Sequence, residues 1–163
     1  PQLGRRDLYQ RYDFNQPWDS PTNMMLVSNI PDVYIAPGDD SARASFETSY
    51  LVVMGKETVF RTNGKSMSRD DINDGAGSTI LVVESAESGI CWLEPKDPTA
   101  SGMNYNINGA PSGCIRSKHP AGASVVFADG KTHFLPNDLA PEHVEAFLTA
   151  RKRDEAPLEL LND

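Results

Sequence analysis

A dipeptide constrains this sequence most. Asp129-Gly130 lies between two runs of β-branched and aromatic residues, ASVVFA (123–128) and KTHFL (131–135). Asp-Gly in that setting is a hairpin signal, and a two-residue loop favours a type I′ turn with both residues at positive φ. That register puts Val125, Phe127, Thr132 and Phe134 on the core face, and Ser124, Val126, Lys131 and His133 on the outer face. TILVVE (79–84) is a third strand, apolar on both sides as expected at the centre of a covered sheet. A small antiparallel sheet is therefore the predicted core.

Helices are short by comparison. Leu8, Tyr9, Tyr12 and Phe14 are spaced for an amphipathic helix ending near Asn15. Ser20-Pro21 reads as an N-cap followed by proline at the first helical position, with a helix over 21–29 stopped by Pro31. Val33 and Ile35 suit a short extended piece, and Pro37-Gly38-Asp39-Asp40 a turn. FETSYLVVM (46–54) and ETVF (57–60) read as strands joined by a tight hairpin at Gly55-Lys56. Residues 61–78 and 94–114 are polar or Gly/Pro-rich loops, with ICWL (90–93) extended between them. A last helix starts at Pro141, with Val144, Phe147 and Leu148 on one stripe, and occupies 141–152. The expected fold is α+β over a single domain, 1–163: a helical opening to about residue 30, sheet and loops over 46–136, then the C-terminal helix.

Charge narrows the partners. With 15 Lys and Arg against 23 Asp and Glu, the formal net charge is −8. Such a surface repels phosphate backbones, which argues against generic nucleic-acid binding and against anionic lipid. The apolar runs, such as Ile80 to Val83, fall far short of the roughly 20 residues of a membrane-spanning helix. The opening Pro1-Gln2-Leu3-Gly4-Arg5-Arg6 shows neither an initiator Met nor a signal peptide, so the chain reads as a fragment.

Chemistry-bearing motifs are sparse. Asp70, Asp71, Asn73 and Asp74 crowd one loop, but aligning Gly75 with the EF-hand glycine puts Ile72 and Leu81 at ligand positions. A looser calcium loop or a solvated acidic loop both remain open, and no other cofactor is implied. His119, His133 and His143 show no metal-ligand spacing. His133 is expected on the outer face of the hairpin and His143 exposed. Cys91 and Cys114 are either free thiols or a single disulfide, the latter implying an oxidising compartment. There is no nucleophile elbow and no phosphate-cradling loop. Taken alone, the residues nominate no active site.

The segment HPAGASVVFADGKTHFL is more specific: His119, nine residues, then Asp129-Gly130. It resembles the C-terminal signature of a bacterial prepilin-like family of unknown function. Upstream, DINDGAGSTILVVESAESGICWLEPKD resembles that family's Asp-Gly loop (Asp74-Gly75), its strand ending at Glu84, and its Trp-x-x-Pro segment, Trp92 and Pro95. TSYLVVMGKETVF and DLYQRYDFNQPWDSPTN resemble two further stretches, so the likeness runs over about residues 5–136. It implies a pseudopilin-like head, here without the leader and stalk helix. It also implies a cell-envelope or extracellular location, membrane attachment only through the missing helix, and other pilin-like subunits or envelope and secretion components as partners. Relatives often carry a cysteine in the segment matching VYIAP, where this chain has Ala36, so a disulfide from that position does not carry over.

Turn chemistry explains Asp129-Gly130, and Asp74-Gly75 reads as a turn before a buried strand. For His119 we expect a buried polar pair with Glu84 that ties its loop to the sheet. The functional expectation is a non-catalytic structural head. The alternative is an exported ligand-binding module whose loops at 61–78 and 94–118 grip a glycan, a peptide or calcium, with Trp18 and Trp92 as stacking platforms.

Overall fold

The computed structural model describes residues 2–65, 67–109, 115–152 and 157–161. The fold is α+β, with short helices and a small four-stranded antiparallel sheet. The chain gathers into two compact units, Pro1–Ser49 with Glu87–Lys96, and Tyr50–Ala86 with Asp97–Asp163. Among the described residues no helix is long and apolar enough to cross a membrane.

The first unit carries three short helices. α1 (Arg6–Arg11) buries Leu8 and ends at an extended Tyr12, earlier than the expected Asn15. α2 (Pro21–Met24) starts as read, with Ser20 Oγ accepting from Asn23 N at 3.2 Å and proline in the first turn. It does not run to residue 29. Beyond Met24 the backbone tightens to i→i−3 bonds, Leu26 N to Asn23 O and Asn29 N to Leu26 O, which give a 3₁₀ turn at Val27–Asn29. The fully buried Asn23 side chain ties the preceding loop to α2. Its Oδ1 accepts from Asp13 N at 2.8 Å, and its Nδ2 donates to Asp13 O and Pro17 O.

The extended piece expected at Val33–Ile35 is another 3₁₀ turn, Asp32–Tyr34. The loop expected after Pro37-Gly38 becomes α3 (Asp40–Ser45). Asp39 is its N-cap: nearly inaccessible, it accepts from Ala42 N at 3.2 Å and from the hydroxyls of Ser41 and Ser49. α3 ends at Phe46, which is left-handed (φ 59°), so the strand expected from residue 46 cannot begin there. Ile90–Leu93 forms only the Glu47–Cys91 bridge and a turn.

The second unit holds the strands: β1 (Tyr50–Leu51), β2 (Met54–Gly55), β3 (Phe60–Arg61), β4 (Ile80–Glu84), β5 (Gly122–Phe127) and β6 (Thr132–Pro136). The sheet order is β1-β4-β5-β6, so the TILVVE strand is interior as read. α4 (Pro141–Leu148) is shorter than the expected 141–152 but buries the predicted Val144, Phe147 and Leu148. Its Phe147 meets Phe127 of β5 at 5.5 Å between ring centroids.

The hairpin expected at Gly55-Lys56 does not form. β2 and β3 pair in parallel, Met54 opposite Phe60. Met54 N donates instead to Pro98 O, and Thr58 Oγ1 donates to Phe60 O, turning the loop back on itself.

The β5–β6 hairpin forms, but one residue out of the expected register. Val125 faces His133 and Ser124 faces Phe134. The loop has three residues, Ala128 to Gly130, closed by Phe127 N to Lys131 O and Gly130 N to Phe127 O. Gly130 has positive φ (90°) and Asp129 does not, so the type I′ turn is replaced by the glycine-bulge form. A one-residue slip exchanges the faces of a strand. His133 and Leu135 therefore join Ala123, Val125 and Phe127 on the core face, and Thr132 and Phe134 join Ser124 and Val126. The slip has a local cause. Ala128 N donates to Thr79 O and Asp129 N to Ala76 O, which pulls Ala128 out of the strand ladder.

Candidate functional site

The signature residues of the second unit fall into two groups. The first surrounds Glu84, at the end of β4. Its carboxylate is buried (8% exposed). Ser117 Oγ donates to Oε1 at 2.6 Å, and Ser124 N donates to Oε2 at 2.9 Å. Tyr50 faces Glu84 across β1–β4, and its hydroxyl pKa is raised by burial and then by the Glu84 charge.

The expected buried pair of His119 with Glu84 is not present. His119 is exposed, and its Nδ1 accepts from Ala121 N at 3.2 Å. Its ring meets Phe134 edge-on at 5.1 Å. Ser117 stands between the two residues, accepting from His119 N at 3.0 Å while donating to Glu84. The imidazole is folded onto its own loop because the Pro120 turn presents Ala121 N–H to it. A serine, a glutamate and a histidine thus adjoin one another, but not in nucleophile–base order: the hydroxyl proton points at the carboxylate.

Asn108 locks this loop. It is left-handed (φ 53°). Its Oδ1 accepts from Ser117 N at 2.7 Å. Its Nδ2 lies 3.2 Å from His119 O, 3.2 Å from Gly122 O and 2.8 Å from Asn137 Oδ1, so two protons serve three acceptors. Gly122 completes the group. A Cβ there would sit 2.1 Å from Leu135 O and 2.7 Å from the Phe134 ring.

The second group lies at the hairpin turn and the end of α4. Asp129 accepts from Lys131 N at 3.0 Å, and that bond leads the causes that lower its pKa. Gly75 has positive φ (93°) and opens a 3₁₀ turn, Ala76–Ser78, in which Ser78 Oγ donates to Asp74 O. The Asp74 carboxylate accepts from Lys152 N at 3.1 Å and Thr149 Oγ1 at 3.3 Å, while Asn73 N and Asp74 N both donate to Ala150 O. Asp71 accepts from Ser68 N and Ser68 Oγ and pairs with Arg151 at 3.0 Å, and its pKa is lowered first by the Ser68 N–H. Asp70 is exposed. Among the described residues no three His, Cys, Asp or Glu side chains converge as a metal group.

His133, expected to point outward, lies on the core side with its ring 4.4 Å from that of Phe127. His143, expected exposed, is half-buried. Residues 54–58, Thr62, residues 99–101, Tyr105 and the end of α4 line a depression of about 350 Å³, to which both long loops contribute.

Trp92 and Pro95 belong to the first unit. Trp92 is half-buried and donates from Nε1 to Val27 O at 2.8 Å; Pro95 is exposed. Cys91 is a half-buried thiol, and the disulfide considered with Cys114 falls on a residue outside the described ones. Beside Trp92 opens a cleft of about 440 Å³ lined by Tyr9, Tyr12, Phe14, Tyr34 and Arg5 among others. Tyr9 is 51% and Phe14 64% exposed, with their rings 5.1 Å apart. Arg5 is neutralised at its edge by two bonds to Asp7, at 3.0 and 2.9 Å. Trp18, the other expected platform, is not part of it.

Sequence reasoning missed Ser117, Asn108, Gly122 and this cleft. The Asn108-Gly109 dipeptide is the available signal for the first three, and the spacing of Tyr9, Tyr12 and Phe14 suggests one helix face, which hides the cleft. No family model, curated protein or solved structure matches the chain.

Proposed function

We propose that this chain is the head of a pilin-like subunit of the bacterial cell envelope, a structural and non-catalytic part that meets other pilin-like subunits. In this reading membrane attachment is made through an N-terminal helix of the full-length subunit, and the acidic surface faces outward without binding nucleic acid. The observation that carries the reading is the engagement of the signature residues. Glu84 accepts a backbone N–H from β5, Asp74 one from the segment after α4 and Asp129 one from beside its own turn, and His119 accepts one from its own loop. Held in this way, these four side chains serve the scaffold and are not arranged as an acid–base pair on a substrate. N-terminal sequencing and intact mass of the native full-length protein test it. A processed N-terminus followed by about 20 apolar residues is expected. A hydrophilic start refutes it.

The cleft beside Trp92 favours a second reading, an exported ligand-binding module. Its volume lies within the roughly 300–1,000 Å³ of small-molecule sites. Exposed rings, phenolic hydroxyls and a neutralised Arg5 suit an uncharged saccharide, stacked on the rings and bonded to the hydroxyls. Titration with neutral oligosaccharides should then perturb the Trp92 indole and Tyr9 ring signals in NMR spectra. Unchanged signals at millimolar sugar eliminate this reading, and a calcium-induced rise in melting temperature would point to the acidic loop instead.

A further inference from the structure

The sequence contains two Asn-Gly dipeptides, Asn63-Gly64 and Asn108-Gly109. We propose that Asn63 is a site of spontaneous deamidation in the folded protein and that the fold protects Asn108 from the same reaction. The chemistry needs no enzyme. The backbone nitrogen of the following residue gives up its proton and attacks the side-chain Cγ; a C–N bond forms, the Cγ–Nδ2 bond breaks, and the leaving nitrogen takes up a proton through solvent and departs as ammonia. Water then opens the succinimide on either side, giving aspartate or isoaspartate. Glycine is the least hindered residue to supply that nitrogen, because it has no Cβ.

The glycine nitrogens do not distinguish the two sites. Gly64 N donates to Arg61 O at 3.3 Å and Gly109 N to Asn106 O at 3.4 Å, each three residues back. The side chains do. Asn63 is exposed between exposed neighbours, and among the described residues its side chain makes one hydrogen bond, from Lys65 N to Oδ1 at 3.1 Å. The amide that carries the leaving nitrogen is thus on an exposed side chain. The Asn108 amide is half-buried and held from both ends. Ser117 N fixes Oδ1, and His119 O, Gly122 O and Asn137 Oδ1 surround Nδ2. Swinging Cγ onto Gly109 N would break all of these together and release the loop from β5. Either product adds a carboxylate to an already acidic chain, and isoaspartate also inserts an extra backbone carbon into the exposed turn after β3.

The test is incubation of the folded protein in mildly alkaline buffer, with aspartate and isoaspartate scored at each site by mass-spectrometric peptide mapping. Asn63 should convert at least about tenfold faster than Asn108, the factor set by an opening cost of about 1.4 kcal/mol. In denaturant the two rates should converge. Asn137→Ala, which removes one tie, should speed conversion at Asn108 and leave Asn63 unchanged. Equal rates in the folded wild-type protein, or slower conversion at Asn63, overturn the proposal.

Discussion

Gly122→Ala tests the packing at the start of β5. The added methyl would lie 2.1 Å from Leu135 O and 2.7 Å from the Phe134 ring. A ring can swing aside, but the carbonyl is fixed in the pairing of Ala123 with Leu135. Relief therefore requires the strands to part near Gly122–Pro136, which strains the neighbouring Asn108 amide bond to Gly122 O. Overpacking costs roughly 1–3 kcal/mol, and the clash with backbone places this case at the upper end, about 2–3 kcal/mol. For a domain of this size each kcal/mol moves the melting temperature by roughly 2–4 °C. Near-UV circular dichroism should then show a fall of about 5–10 °C. The informative control is Gly122→Ala combined with Phe134→Ala. If the carbonyl is the obstacle, removing the ring restores no stability. A double variant as stable as Phe134→Ala alone would show that the ring was the only obstacle, and the argument would fail.

Three further outcomes are expected. Glu84→Leu should lose about 2–3 kcal/mol, because Ser124 N–H is left without its buried acceptor, whereas Glu84→Gln, which keeps one oxygen for that N–H, should lose only about 1 kcal/mol; chemical denaturation separates them. Asp7, held by the Arg5 guanidinium, has its carboxyl pKa lowered from 3.8 to about 2. Its contribution is therefore fully present above pH 3.8 and is lost as pH falls through about 2; NMR should place the midpoint there and show it rising towards 3.8 in Arg5→Ala. His119→Ala removes an exposed acceptor of Ala121 N–H and an edge contact to Phe134, so it should cost only about 0.5–1 kcal/mol. A loss as large as that of Glu84→Leu would mean that His119 is far more buried than its exposure indicates.

Sequence and structure agree where one local rule acts alone. Ser20-Pro21 caps and starts α2, the Pro141 helix buries its expected stripe, and TILVVE is an interior strand. They part where a tertiary bond competes with a local preference. Asp129-Gly130 marks a turn, but the docking of Ala128 and Asp129 on Thr79 and Ala76 decides how many residues it takes, and hence which face His133 and Phe134 occupy. Asp39 was legible as a turn former, although the same short carboxylate caps α3 once Ser41 and Ser49 surround it. Glu84, at the end of a buried strand, needs a partner. The nearest attractive candidate by type was His119, whereas the partner chosen by the fold was Ser117, nine positions from Asn108 and invisible to any spacing rule. The aromatic cleft was hidden for a related reason: Tyr12 and Phe14 lie beyond the end of α1, so their rings leave the helix face that their spacing suggested.

The two ends of the sheet carry one more consequence. With Phe127 and Lys131 as a hydrogen-bonded pair, alternation turns the backbone groups of His133 and Leu135 towards β5 and those of Thr132, Phe134 and Pro136 outward. Proline, which lacks an N–H, thus falls on the open side of β6, where its missing donor weakens no pairing inside the sheet. The opposite border, β1, is only two residues long. A foreign strand seeking to extend the sheet would find two donors on one side and a stub on the other. Such borders discourage runaway edge-to-edge association at high protein concentration.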